Sequence, residues 1–156
     1  MKRIILILLV SILLAACAPT QPSAPADQSP SNTSIPVSGS SDLVRTDSQG
    51  AVTITVTPQN LDKPGDTLKF DIGMSTHSVD LSMDLTTIST LKTDTGITLQ
   101  PTTWDAPKGG HHIDGALSFP ATKDGKSILD GAKTLTLTIT GIDNATRTFT
   151  WDLSMN

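Results

Sequence analysis

Through the second half of the chain and part of the first, apolar residues return at every second position. Val52, Ile54 and Val56 alternate with threonines, and Leu68, Phe70, Ile72 and Met74 alternate with polar or small residues. Val79, Leu81, Met83 and Leu85 repeat the pattern, as do Leu135, Leu137 and Ile139, and then Phe149, Trp151 and Leu153. Period two with abundant threonine predicts strands buried on one face and hydrated on the other. The breaks carry turn chemistry: Pro64-Gly65-Asp66, Asp94-Thr95-Gly96, Asp124-Gly125 and Asp143-Asn144. No stretch has the spacing of an amphipathic helix.

Shorter apolar segments at Ile97–Leu99 and Ile113–Phe119 bring the expected count to seven or eight strands. The predicted fold is therefore all-β, a single antiparallel sandwich of immunoglobulin-like type spanning residues 42–156. Trp104 and Trp151 are expected in the core or at its edge. One irregularity stands out. The apolar positions are even-numbered from Leu68 to Met74 and odd-numbered from Val79 to Leu85. The register slips within residues 73–78, where a bulge or tight corner is expected, and His77 lies at that slip.

The N-terminal part reads differently. Lys2 and Arg3 precede an apolar run from Ile4 to Leu14, too short for a mature transmembrane helix and laid out as an export signal. It ends in Leu14-Ala15-Ala16-Cys17, which resembles the lipobox of bacterial lipoproteins. The resemblance implies a signal peptide over 1–16, cleavage before Cys17 and acylation of that cysteine, which would anchor the mature chain to a cell membrane or outer membrane. Residues 17–41 are rich in Pro, Ser, Ala and Thr and nearly free of large apolar side chains, the composition of a flexible linker. Cys17 is the only cysteine, so intramolecular disulfides, thiol catalysis and cysteine metal cages are excluded.

Charge narrows the partners. Loss of Lys2 and Arg3 with the leader leaves nine basic against fifteen acidic residues, a net charge of about −6. No basic patch is present, and nucleic acid is not an expected partner. Hydrolytic chemistry has thin support: Ser78 lies beside His77 and near Asp80, but no Gly-x-Ser-x-Gly elbow accompanies them. Asp80, Asp84, Asp105 and Asp114 read as outward-facing strand and loop residues rather than a glycosidase pair. The chain is expected not to be an enzyme.

The remaining candidate chemistry is metal binding. His77, His111 and His112 are the three histidines of the chain, and imidazole suits zinc and oxidised copper. Met74, Met83 and Asp114 are the candidate completing ligands. Adjacent histidines on a regular strand point to opposite faces, so His111 and His112 can share an ion only if the backbone turns there; Gly109-Gly110 would allow it. The segment Gly109-Gly110-His111-His112-Ile113 is similar to the Gly-Gly-x-His-x-Met segment of periplasmic copper chaperones, with Asp114 where the methionine belongs. That resemblance implies copper held by His and Met. Two functions from different classes follow: a copper- or zinc-binding module, or an interaction module for an envelope protein or glycan that uses no metal.

Overall fold

The computed structural model describes residues 43–154. The expected signal peptide over 1–16, the expected acylation at Cys17 and the expected linker over 17–41 all fall outside the described residues. Among the described residues no helix is long and apolar enough to cross a membrane.

The described chain is all-β with antiparallel sheets. Its strands are β1 Arg45–Asp47, β2 Val52–Pro58, β3 Thr67–Thr76, β4 Ser89–Thr93, β5 Thr98–Leu99, β6 Thr103–Asp105, β7 His112–Pro120, β8 Thr122–Lys123, β9 Lys126–Ser127, β10 Thr134–Ile142 and β11 Ala145–Asp152. One sheet, here sheet A, has the order β1-β2-β3-β7-β6; sheet B has the order β11-β10-β4-β5; β8 and β9 form a separate hairpin. The alternation does the work the sequence assigns to it. Val52, Ile54 and Val56 of β2, Leu68, Phe70, Ile72 and Met74 of β3, and Leu135, Leu137 and Ile139 of β10 are all buried, while the residues between them, threonines in β2 and β10 and Lys69, Asp71, Gly73 and Ser75 in β3, face outward. Phe70 of sheet A meets Phe119 edge-on at 5.7 Å and Trp151 of sheet B at 5.4 Å, so one aromatic group joins the two sheets. Trp151 is buried and Trp104 is partly buried against the core, as expected.

The eleven strands among the described residues exceed the expected seven or eight, because β1, β6, β8 and β9 are two- or three-residue strands too short for alternation to reveal. Two longer stretches also differ from the expectation. Residues 79–85 form no strand. β3 ends at Thr76, whose hydroxyl accepts from the amides of Ser78 and Val79, both at 3.2 Å. That turn carries the chain out of the sheet at the predicted slip. Leu81 and Leu85 are still buried, so the period-two pattern is real, but the extended segment packs without a sheet partner. It ends in a single helical turn, α1 Leu85–Ile88, capped by Asp84, whose Oδ1 accepts from Thr86 N at 2.9 Å. Conversely, β4 is a strand the apolar pattern does not reveal, because two of its three inward residues are Ser89 and Thr93.

The turns are as the sequence indicates. Asp143 and Asn144 both adopt left-handed φ, 51° and 55°, which is what a two-residue hairpin turn between β10 and β11 requires. Asp124-Gly125 does the same between β8 and β9.

Arg147 is the exception to an apolar interior. It occupies an inward position of β11 and is fully buried. Its NH1 donates to Ile142 O at 2.6 Å and its NH2 to Gln49 O at 2.6 Å and Val52 O at 3.3 Å. Nε lies 3.2 Å from Asp47 Oδ1, an ion pair off the ideal hydrogen-bond line. The guanidinium thus fastens β1 and the β1–β2 turn to the β10–β11 hairpin. Trp151 Nε1, donating to Leu43 O at 2.6 Å, and Arg45 Nε, donating to Thr150 O at 2.9 Å, secure the same edge.

Three surface carboxylates set the acid response. The Lys133 amide, with that of Thr134, holds Asp94 below the ordinary carboxylate range; the Thr86 hydroxyl and amide do so for Asp84, and the Ser154 hydroxyl and amide for Asp152. A carboxyl depressed in the folded state contributes stability above its unfolded pKa and loses it as pH falls through the folded one. Stability from these groups is therefore expected to hold at neutral pH and decline below about pH 4. Urea midpoints measured at falling pH should show a shallower decline for Asp94→Asn than for the parent chain.

Candidate functional site

The register of β2, β3 and β7 builds a shallow dish on the outer face of sheet A. Three cross-strand rows run through it: Thr53–Ser75–His112, Thr55–Gly73–Asp114 and Thr57–Asp71–Ala116. Gly73 sits at the centre of the middle row and leaves it without a side chain. The Asp114 carboxylate leans into that space, with Oδ1 3.1 Å from where a Cβ at residue 73 would stand. Glycine within a strand often marks such a close approach. The resulting hollow is about 350 Å3 and is lined by Thr53, Thr55, Thr57, Asp71, Ser75, His112 and Asp114, with Gly73 and Met74 contributing to its floor. Lys69 follows on the same face of β3 beyond Asp71. Among the described residues no hydrogen bond or ion pair engages the side chains of Asp71, His112 or Asp114.

The six candidate ligands do not form one cluster in this arrangement. His112 and Asp114 are both exposed, lie two apart on β7 and share the dish. Met74 is buried on the opposite face of β3, within the core. Met83 is partly buried in the segment before α1 and lines a second hollow, with Trp104. His77 is exposed just past the end of β3. His111 is exposed as well, and its carbonyl accepts from Thr76 N at 2.9 Å.

That last hydrogen bond bears on the histidine pair. It continues the β3–β7 ladder one step beyond Ser75–His112, so His111 and His112 occupy successive ladder positions, where side chains alternate between faces. The backbone turns at Gly109 and Gly110, whose φ values are 76° and 116°, one step before the histidines rather than at them. Among the described residues no three His, Cys, Asp or Glu side chains gather as a metal-holding group.

Sequence reading reached His112 and Asp114 but missed Asp71, Ser75 and the β2 threonines. Asp71 and Gly73 do occupy wet positions of the Leu68–Met74 alternation. Their meeting with Asp114 depends on a strand pairing some forty residues away in sequence.

Comparison with protein-family models, curated proteins and solved structures finds no match.

Proposed function

We propose that the chain is a lipid-anchored extracytoplasmic protein and that its domain binds an envelope glycan without catalysing a reaction. In this reading residues 1–16 are the signal peptide, acylated Cys17 holds the protein to a cell membrane or outer membrane, and residues 17–41 are the tether. The two sheets then form an immunoglobulin-like sandwich that presents its outer faces to the periplasm or exterior.

The observation that carries the reading is the dish around Gly73. Its lining is hydroxyl, carboxylate and imidazole, groups that exchange hydrogen bonds with a polyhydroxylated ligand. Its carboxylates and His112 have no partner among the described residues, so ligand hydroxyls would displace only water. Co-sedimentation with purified peptidoglycan sacculi tests it. The parent protein is expected to pellet with them, and Asp71→Asn/Asp114→Asn to bind about tenfold more weakly, since a hydrogen bond to a charged group contributes about 1.5–3 kcal/mol. Equal binding by both proteins would remove the dish from the reading.

A second reading, copper or zinc binding, is favoured by the placement of His112 and Asp114 two apart on one face of β7. His77, His111, Met74 and Met83 would enter such a site only by rearrangement. Titration of Cu(I), Cu(II) and Zn(II) against a competing chelator separates the two. Tight one-to-one uptake lost in His112→Ala would transfer the function to metal; sacculus binding unchanged by chelator would keep it with glycan.

A further inference from the structure

We propose that the hollow lined by Trp104 is a subsite for a single pyranose ring. The inference rests on the glycan reading and adds to it a stacking contact separate from the Gly73 dish.

Trp104 differs from every other aromatic residue of the domain. Phe70, Phe119, Phe149 and Trp151 are buried, whereas Trp104 is only partly so. Its ring is fixed in place from the protein side. Trp104 pairs with Leu117 in the β6–β7 ladder, and its Cη2 lies 2.7 Å from where a Cβ at Gly115 would stand. The ring thus rests on bare backbone, and any side chain at residue 115 would lift it. A pinned indole is a platform that loses little freedom when a ligand stacks on it.

The surroundings define the ligand. The hollow is about 150 Å3, with Met83, Ala106 and Pro107 adding apolar wall and Ser82, Asp84 and Lys108 supplying polar groups. That space suits one sugar ring rather than a disaccharide. Asp84 Oδ1 is occupied by the Thr86 amide and hydroxyl, at 2.9 and 2.7 Å, while no bond engages its Oδ2 among the described residues. The Lys108 ammonium and the Ser82 hydroxyl are likewise unengaged there.

A pyranose has a face of C–H groups and a rim of hydroxyls, which matches an indole and apolar wall bordered by an acceptor, a cation and a hydroxyl. Lys108 lies close enough to Asp84 to favour its ionised form, so the two charges offset each other. An uncharged ligand therefore suits the hollow better than an ion. This cluster joins the segment before α1 to the β6–β7 connection, two irregular stretches that the fold brings together.

The test uses the full chain in detergent and follows tryptophan emission. The chain has two tryptophans, and Trp151 is buried, so a ligand-dependent change reports Trp104. N-acetylglucosamine tetramer is the probe, with free leucine and a neutral tripeptide as comparison ligands. The expected result is a saturable blue shift with the sugar alone. Asp84→Asn, which keeps the helix cap, is expected to weaken it about tenfold. Trp104→Phe, followed by calorimetry and checked for parent-like circular dichroism, is expected to weaken binding several-fold.

Sacculus binding with no emission change, or equal sugar affinity in Trp104→Phe, would overturn the subsite and leave the glycan reading standing. Equal responses to leucine or the tripeptide would overturn it too, by assigning the hollow to peptide. Failure to bind either sacculi or tetramer would remove the glycan reading and the subsite together.

Discussion

Replacing Arg147 with methionine is expected to lower the unfolding free energy by about 3–5 kcal/mol, the cost of removing one member of a buried charged network. Asp47 keeps some access to water, with a side chain 21% exposed, so its charge can be rehydrated when the partner goes. The carbonyls of Ile142 and Val52 are in a harder position. Their bonds to Arg147 are buried, and an apolar side chain would leave these acceptors of the guanidinium unmatched. Methionine fills much of the volume, so the loss measures the polar network rather than a cavity. Arg147→Lys should recover only part of it, because one ammonium cannot reproduce the fork that reaches three carbonyls and a carboxylate. Urea unfolding followed by Trp151 emission would show the loss as a lower midpoint at an unchanged slope. Domains of this size are commonly stable by only about 5–15 kcal/mol, so the methionine variant should sit near the edge of folding.

Arg147 also shows where sequence reading stops. In Ala145–Asp152 the inward positions are 145, 147, 149 and 151, and an arginine among them looks like an interruption of the apolar stripe. Its partners Asp47, Gln49 and Val52 lie about a hundred residues away, and nothing local announces them. Where the stripe is apolar, the fold was legible: β2, β3, β10 and the hairpin turn at Asp143-Asn144 all follow from alternation and turn chemistry. The same alternation misleads at Val79–Leu85, because Leu81 in the segment before α1 and Leu85 at the start of α1 are both buried, which produces a period-two pattern without any sheet partner. At β4 it falls silent, since Ser89 and Thr93 face inward.

The candidate site divides in the same way. The glycine–histidine segment stands out in the sequence, yet what that segment can do depends on the β3–β7 ladder. That register puts His112 and Asp114 beside Gly73 and places His111 on the step after. Trp104 was legible as a core-edge residue, but the hollow beside it was not. Met83 and Asp84 reach it from a stretch expected to be strand, and Lys108 from the β6–β7 connection.

Gly115→Ala brings fold and function into one measurement. A Cβ at residue 115 would stand 2.7 Å from both Asp105 O and Trp104 Cη2, and closer still to Ala106 Cβ. The carbonyl belongs to β6 and cannot retreat without disturbing the pairing of Asp105 with Ala116. Overpacking of this kind costs about 1–3 kcal/mol, which for a domain of roughly 115 residues means a fall in Tm of about 4–12 °C. The indole must also move, so the Trp104 emission response to N-acetylglucosamine tetramer is expected to disappear even at temperatures where the variant is folded. Gly73→Ala supplies the contrast. Its Cβ would meet only Asp114 Oδ1, at 3.1 Å, the far end of a side chain that can swing toward solvent. Little stability should be lost there, the tetramer response should persist, and sacculus binding through the dish should weaken. If Gly115→Ala instead kept both its Tm and its sugar response, the close packing of Trp104 on β7 would not be what shapes the hollow. The subsite would then have to be sought elsewhere than on a pinned ring.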